Sequence, residues 1–191
     1  MKNPGPNSLI RGIYPMIAED TVEALIEKIF SDEANVFAVL DGASVPGLLK
    51  KLYQLEPEYI CLLRGDLAPD MAEVAPYLVR LEKDGELIRW ILENGWGKHW
   101  GIFASGYGDI REMRGHFRSF LTVYDESGNP LKFRYYDPRV LRLYLPTCNS
   151  GELKTVFGPV VAYYLEDEDA NTLLRFELNN ESLRRRKFVL R

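Results

Sequence analysis

Five consecutive apolar residues, VFAVL at 36–40, place the strongest constraint on the fold of this 191-residue chain. A strand with one face in water would alternate apolar and polar residues, so an unbroken apolar run is typical of a strand buried on both faces. Such a strand needs a covering layer on each side. Asp41 and Gly42 end the run, and we expect the flanking sequence to supply helices for both faces of a sheet.

Apolar residues at helical spacing predict helices that begin near Asp20, Ser44 and Asp84. Short apolar runs predict further strands at residues 59–63, 77–81 and 100–104. A strand, a helix and a second strand in this order are typical of a βαβ unit with a parallel pair. We therefore predict an α+β (mixed α/β) fold, with a central mixed sheet flanked by helices.

The segment FRYYDPR at residues 133–139 combines a strand pattern with the start of a helix. Residues 131–136 alternate apolar and polar side chains, and with residues 121–124 they predict a hairpin across the turn-forming sequence DESGN. Asp137 is a favoured N-cap residue, and Pro138 suits the first helical position because its missing N–H would have no partner there.

Two interpretations of the charged residues in this segment stay open. Arg134 and Arg139 can form a structural network around Asp137, joined by Arg118 from a helix that begins at Asp109, because a charge near a packed core must be paired. Alternatively, Arg134, Asp137 and Arg139 form a recognition cluster for a partner, since arginine can bind a carboxylate through two parallel hydrogen bonds.

Asp41 also allows two interpretations. It lies at the carboxyl end of a buried strand, where open α/β sheets bind ligands, but DGAS is equally typical of a tight turn into a helix. With His116 as a base and Asp137 as a second carboxylate, Asp41 would complete a hydrolytic site. The sequence contains no nucleophile motif, no metal-ligand spacing and no phosphate-binding loop, so we expect no catalytic residue, metal or cofactor.

Charge and cysteine content exclude several classes of protein. The net charge of −4 argues against nucleic-acid binding, which requires a basic surface. The two cysteines form neither a disulfide framework nor a zinc motif, which favours a reducing compartment. No apolar window is long enough to span a membrane, so we expect a cytoplasmic protein without direct membrane insertion.

The chain is predicted to form one domain with two short extensions. Residues 1–18, rich in Pro, Gly and Asn, predict an N-terminal arm, and residues 19–178 predict the domain. Two apolar segments at 160–165 and 173–178 predict a late β-hairpin inside it. Residues 179–191 contain five basic side chains and are interpreted as a solvated, basic C-terminal tail.

Several motifs resemble those of a known family. The sequence HFRSFLTVYDESGNP from His116 is followed by FRYYDPR, and the chain also contains VFAVLDGAS, APYLVRL, WGIFASG and FGPV in the family's order. Together they resemble the domain of unknown function 4123 across residues 36–160. That family comprises adaptor proteins, or effector chaperones, of bacterial type VI secretion. Arg118, Arg134 and Arg139 match charged positions of its motifs.

The resemblance implies a cytoplasmic adaptor that performs no chemistry. Such a protein binds one cognate secreted effector and loads it onto the VgrG spike or a PAAR-type tip. Two alternatives stay open: a small hydrolase or nucleotide-binding enzyme that uses Asp41, His116 and Asp137, and an immunity-type inhibitor of a neighbouring toxin.

Overall fold

The computed structural model describes residues 17–190, so the predicted N-terminal arm lies almost wholly outside the described residues. The helices are α1 Glu19–Ile29, α2 Leu48–Leu55, α3 Pro69–Glu73, α4 Glu86–Gly95, α5 Ile110–Ser119, α6 Pro138–Tyr144 and α7 Ser150–Phe157. The strands are β1 Asn35–Asp41, β2 Tyr59–Cys61, β3 Pro76–Leu81, β4 Gly101–Gly106, β5 Thr122–Tyr124, β6 Pro130–Lys132, β7 Val160–Glu166, β8 Thr172–Asn179 and β9 Ser182–Val189. Among these helices, none has the length and apolar character needed to cross a membrane.

Seven of the described strands form one sheet in the order β2-β3-β1-β4-β7-β8-β9, and β5 pairs with β6 in a separate hairpin. All the ladders are antiparallel. The α+β class is confirmed, but the predicted parallel pair is wrong. Strands β1 and β2 run in the same direction, yet β3 lies between them and pairs with both. The short, half-buried β2 suits an edge, whereas the apolar β3 fills the inner position.

Strand β1 is buried on both faces, as its sequence predicts. Val36, Ala38 and Leu40 pack in the apolar core beneath α1, α2 and α4. Phe37 and Val39 point to the opposite face, where they join a second core covered by α5, α6 and α7. The alternation of side chains along a strand therefore divides one apolar run between two cores, and helices cover both faces of the sheet.

Only the first two residues of the predicted strand at 131–136 lie in a strand. Strand β6 ends at Lys132, and the backbone N–H of Asp137 donates to the carbonyl of Arg134 at 3.0 Å, which closes a turn. Tyr135 is fully buried in this turn, and its hydroxyl donates to the Phe117 carbonyl at 2.8 Å. The alternation arises because Phe133 and Tyr135 pack into a core, where they contact each other.

The late hairpin is confirmed, since β7 pairs with β8. Residues 182–189 of the predicted C-terminal tail form β9, a further strand of the sheet, although most of their side chains are exposed as predicted. Three of the four basic side chains of β9 form ion pairs: Arg184 and Arg186 contact Glu177 on β8, and Lys187 contacts Asp167 in the loop before β8. Strand β9 lies at an edge of the sheet, so the sheet extends the domain beyond residue 178.

Candidate functional site

Asp41 ends β1 with a carboxylate that is almost fully buried. Its Oδ1 accepts a hydrogen bond from the Ala43 N–H at 3.2 Å, and its Oδ2 accepts one from Ser44 Oγ at 2.8 Å. These bonds stabilise the tight turn that DGAS predicts. Oδ2 also accepts a bond of 2.5 Å from the half-exposed guanidinium of Arg134. The carboxylate therefore joins the end of β1 to the FRYYDPR segment.

Asp137 is the N-cap of α6, as predicted. Its Oδ1 accepts a bond from the backbone N–H of Arg139 at 3.0 Å, and Pro138 occupies the first turn. The Arg139 side chain binds the same carboxylate through two bonds, Nε to Oδ1 at 3.0 Å and a terminal nitrogen to Oδ2 at 2.7 Å. Burial acts to raise the pKa of Asp137, but the bonds from Arg139 and the charges of Arg139 and Arg134 outweigh it and lower that pKa.

The single network predicted around Asp137 is divided into two ion pairs. The Arg134 side chain binds the Asp41 carboxylate. Asp137 contacts only the backbone of Arg134, through a hydrogen bond from its N–H to the Arg134 carbonyl. Burial acts to lower the pKa of Arg134, but the bond and charge of Asp41 dominate and raise it. Arg118 makes no ion pair with a described residue. The five predicted residues thus form the pairs Asp41–Arg134 and Asp137–Arg139, with Arg118 outside both.

Replacing Asp137 with alanine should lower the free energy of unfolding by about 0.5–2 kcal/mol, because the cap of α6 is lost. Asp137→Asn is the matched control, since asparagine caps a helix as well as aspartate but carries no charge for Arg139. Urea unfolding of the purified variants measures both effects. If the Asn variant loses as much stability as the Ala variant, the Arg139 ion pair and not the cap is the stabilising contact.

A depression of about 320 Å³ lies beside Arg134, and we call it the basic pocket. It is bounded by the segment that follows β2, the segment around α3, the end of α5 and the β5–β6 hairpin with the residues after it. Its cationic lining residues are Arg64, Arg118, Lys132 and Arg134. Its other lining residues are Leu62, Leu63, Met71, Val74, Pro76, Leu121, Thr122, Phe133 and Tyr136. The pocket therefore brings together Arg118 and Arg134, two residues that the sequence analysis placed in one network around Asp137, although neither makes a side-chain bond to Asp137 here.

His116 is held away from both candidate carboxylates by its own contacts. Its Nε2 donates to the Val156 carbonyl at 2.9 Å, and the hydroxyl of Tyr163 donates to the same oxygen at 2.6 Å. Burial lowers the pKa of His116, although the bond to Val156 opposes this. Neither Asp41 nor Asp137 is among the described contacts of His116. The geometry required for a hydrolytic site built on these three residues is absent from residues 17–190.

Sequence reasoning missed a buried carboxylate at the end of β7. Glu166 accepts bonds from the backbone N–H groups of Gly97 at 2.5 Å and His99 at 2.9 Å, and it also contacts His99 Nδ1. Burial raises the pKa of Glu166 despite these contacts. The only sequence signal is Gly97, whose φ of +79° closes the loop around the carboxylate. Within the described chain, no three His, Cys, Asp or Glu side chains converge to hold a metal ion.

Comparison with known proteins identifies the family of the chain. No curated protein and no solved structure gives a significant match. A family model for a domain of unknown function, number 4123, matches residues 36–155. The matched range covers more than half of the chain and includes both ion pairs and Arg118. On this match, the chain belongs to the domain of unknown function 4123 family.

Proposed function

We propose that this protein is a cytoplasmic adaptor, or effector chaperone, of bacterial type VI secretion. In this role it binds one cognate effector and loads it onto the VgrG spike or a PAAR-type tip. The adaptor performs no chemistry itself. Its function is to hold the effector until the assembled tip, which offers several contacts at once, takes it over.

The observation that carries the proposal is the ordered set of motifs from VFAVLDGAS to FRYYDPR, which resemble those of type VI adaptors. The basic pocket supports a binding role, since its volume of about 320 Å³ suits a few side chains of a partner. Met71 and Val74 on its rim are 42% and 47% exposed. Exposed apolar side chains around a depression are typical of interaction sites.

Deletion of the gene tests the proposal in a bacterium with an active type VI apparatus. The test uses a strain in which a toxin gene lies beside this gene, and we expect delivery of that toxin to be abolished while the tube protein and an unrelated effector are still secreted. Secretion is measured in culture supernatants, and delivery by killing of a sensitive neighbour. A plasmid copy of the wild-type gene should restore delivery.

Two outcomes would contradict the adaptor role. Loss of all secretion would make the protein a component of the apparatus, and unchanged delivery of the neighbouring toxin would remove the connection with that effector. Expression of the gene in a toxin-sensitive cell distinguishes an adaptor from an immunity-type inhibitor. An inhibitor protects such a cell from the toxin, and an adaptor does not.

A further inference from the structure

The basic pocket is positively charged, although the protein as a whole has a negative net charge. The chain has a net charge of −4, yet four cations and no carboxylate line this depression among the described residues. Arg134 has Asp41 as a partner, whereas Arg64, Arg118 and Lys132 form no ion pair with residues 17–190. The pocket therefore holds an excess of positive charge that the described part of the chain does not neutralise.

Arg118 lies near two further cations, Arg64 in the pocket and Arg114 on α5. Its pKa is lowered first by burial and then by the nearby charges of Arg114 and Arg64. Arg114 lies one turn earlier on α5, and its buried Nε has no hydrogen-bond partner among the described residues. Like charges four residues apart on a helix destabilise each other. Arg114 does not line the pocket, so an anion there would act on Arg118 and Arg64, where it would offset the repulsion between their charges.

The apolar lining determines what kind of anion fits. Met71, Val74 and Phe133 lie on the pocket together with the cations, and a free inorganic anion would leave this surface in water. The guanidinium of Arg134 also lies 6.0 Å from the centre of the Tyr136 ring, which orients it beside an aromatic face. The best occupant therefore carries carboxylates and apolar groups within a few ångströms of each other.

We propose that the basic pocket binds a short segment of the partner protein in which acidic and apolar side chains are adjacent. Carboxylates of that segment pair with Arg118 and Arg134, whose planar guanidinium groups can each donate two parallel hydrogen bonds. The apolar side chains pack against Met71, Val74 and Phe133. This inference rests on the proposed function, because the segment belongs to the effector that the adaptor carries.

The test compares charge reversals at two arginines of α5. Arg118 lines the pocket, whereas Arg111 is exposed on the same helix and does not line it. The probe is the purified toxin encoded beside the gene, titrated against the full chain by calorimetry. We expect Arg118→Glu to weaken binding at least about 30-fold, and Arg111→Glu to change it by less than about 2-fold. Thermal unfolding verifies that both variants fold.

Arg118→Lys and a charge exchange complete the design. The Lys variant keeps the charge but loses the paired hydrogen bonds, so we expect an intermediate affinity. Reversing one acidic residue of the bound toxin segment to arginine should restore binding to Arg118→Glu.

Equal binding by the Arg118→Glu and Arg111→Glu variants would overturn this inference and leave the adaptor role intact. Absence of binding by the wild-type chain would overturn the adaptor role, and this inference with it. Binding of an oligonucleotide in the pocket, lost in Arg118→Glu while toxin binding persists, would also overturn the inference.

Discussion

Replacing Gly42 with alanine is expected to lower the free energy of unfolding by about 3 kcal/mol, because the added Cβ has no space. That atom would lie 2.5 Å from the carbonyl oxygen of Ala75 and 2.6 Å from that of Glu73. Both are backbone atoms, so neither can rotate away. Displacement of the segment would also break the hydrogen bond of 3.0 Å that the Gly42 N–H donates to the Ala75 carbonyl. Urea unfolding followed by tryptophan fluorescence measures the loss.

Gly115→Ala is the matched control for this prediction. Gly115 lies on the exposed side of α5, and a Cβ there meets no atom within 4 Å. Alanine favours a helix interior over glycine by about 0.8–1.0 kcal/mol, so this variant should be more stable than the wild type. Similar unfolding midpoints for the two variants would mean that the contact of residues 73–75 with the turn after β1 does not constrain the fold.

Replacing Asp32 with alanine is expected to cost about 3 kcal/mol, because one carboxylate joins three neighbouring strands to the loop before β1. It accepts hydrogen bonds from Ser105 Oγ on β4 at 3.0 Å, from the Tyr164 hydroxyl on β7 at 2.6 Å and from Arg175 on β8 at 3.0 Å. The Arg175 side chain is only 12% exposed, and without Asp32 its one remaining acidic partner within residues 17–190 is Glu177. Chemical denaturation at pH 7 measures the change.

The pH dependence of this effect separates the charge of Asp32 from its packing. Burial acts to raise the pKa of Asp32, but the bonds from Tyr164, Ser105 and Arg175 outweigh it and lower that pKa. A carboxyl with a lowered pKa in the folded state stabilises the protein above its unfolded pKa of about 4, and this contribution is lost as the pH falls through the folded value. The difference between wild type and Asp32→Ala should therefore shrink below about pH 4.

An exposed ion pair provides the control for Asp32. Glu27 and Lys83 are 2.9 Å apart, with side chains that are 65% and 46% exposed. We expect Glu27→Ala to leave the unfolding midpoint nearly unchanged, because solvent screens such a pair. A loss as large as that of Asp32→Ala would show that charge reduction alone, and not the hydrogen bonds of Asp32, accounts for the effect.

Much of the fold could be predicted because it depends on local patterns. The apolar run at β1 predicts burial on both faces, and Asp137-Pro138 predicts the cap of α6. Strand neighbours depend on the whole chain, so the position of β3 between β1 and β2 could not be derived from any one segment. The basic side chains of β9 form ion pairs with acidic residues on β8 and in the loop before β8. The hydrophobicity pattern of the β9 segment gives no signal for these contacts.

The candidate site was predictable in its residues but not in its pairings. A network around Asp137 was expected because a charge near a packed core must be paired, yet the Arg134 side chain binds Asp41, which is distant in the sequence. The start of helix α7 does have a sequence signal, since Asn149 and Glu152 form a capping box. The sequence analysis predicts no helix there. The basic pocket combines segments from distant parts of the chain, so its excess of positive charge emerges only in three dimensions.

The single ladder between β4 and β7 has a consequence for how the protein is made. Strands β1 to β4 come from one part of the chain and β7 to β9 from another, and this ladder, irregular at Ser105 and Gly106, connects them. The intervening chain contains α5, the β5–β6 hairpin, α6 and α7, so closing the ladder is entropically costly and slow. During synthesis on the ribosome, the first four strands emerge with the edge of β4 unpaired. Until β7 is translated, that edge can pair with other nascent chains, so we expect losses to aggregation to rise with the expression rate.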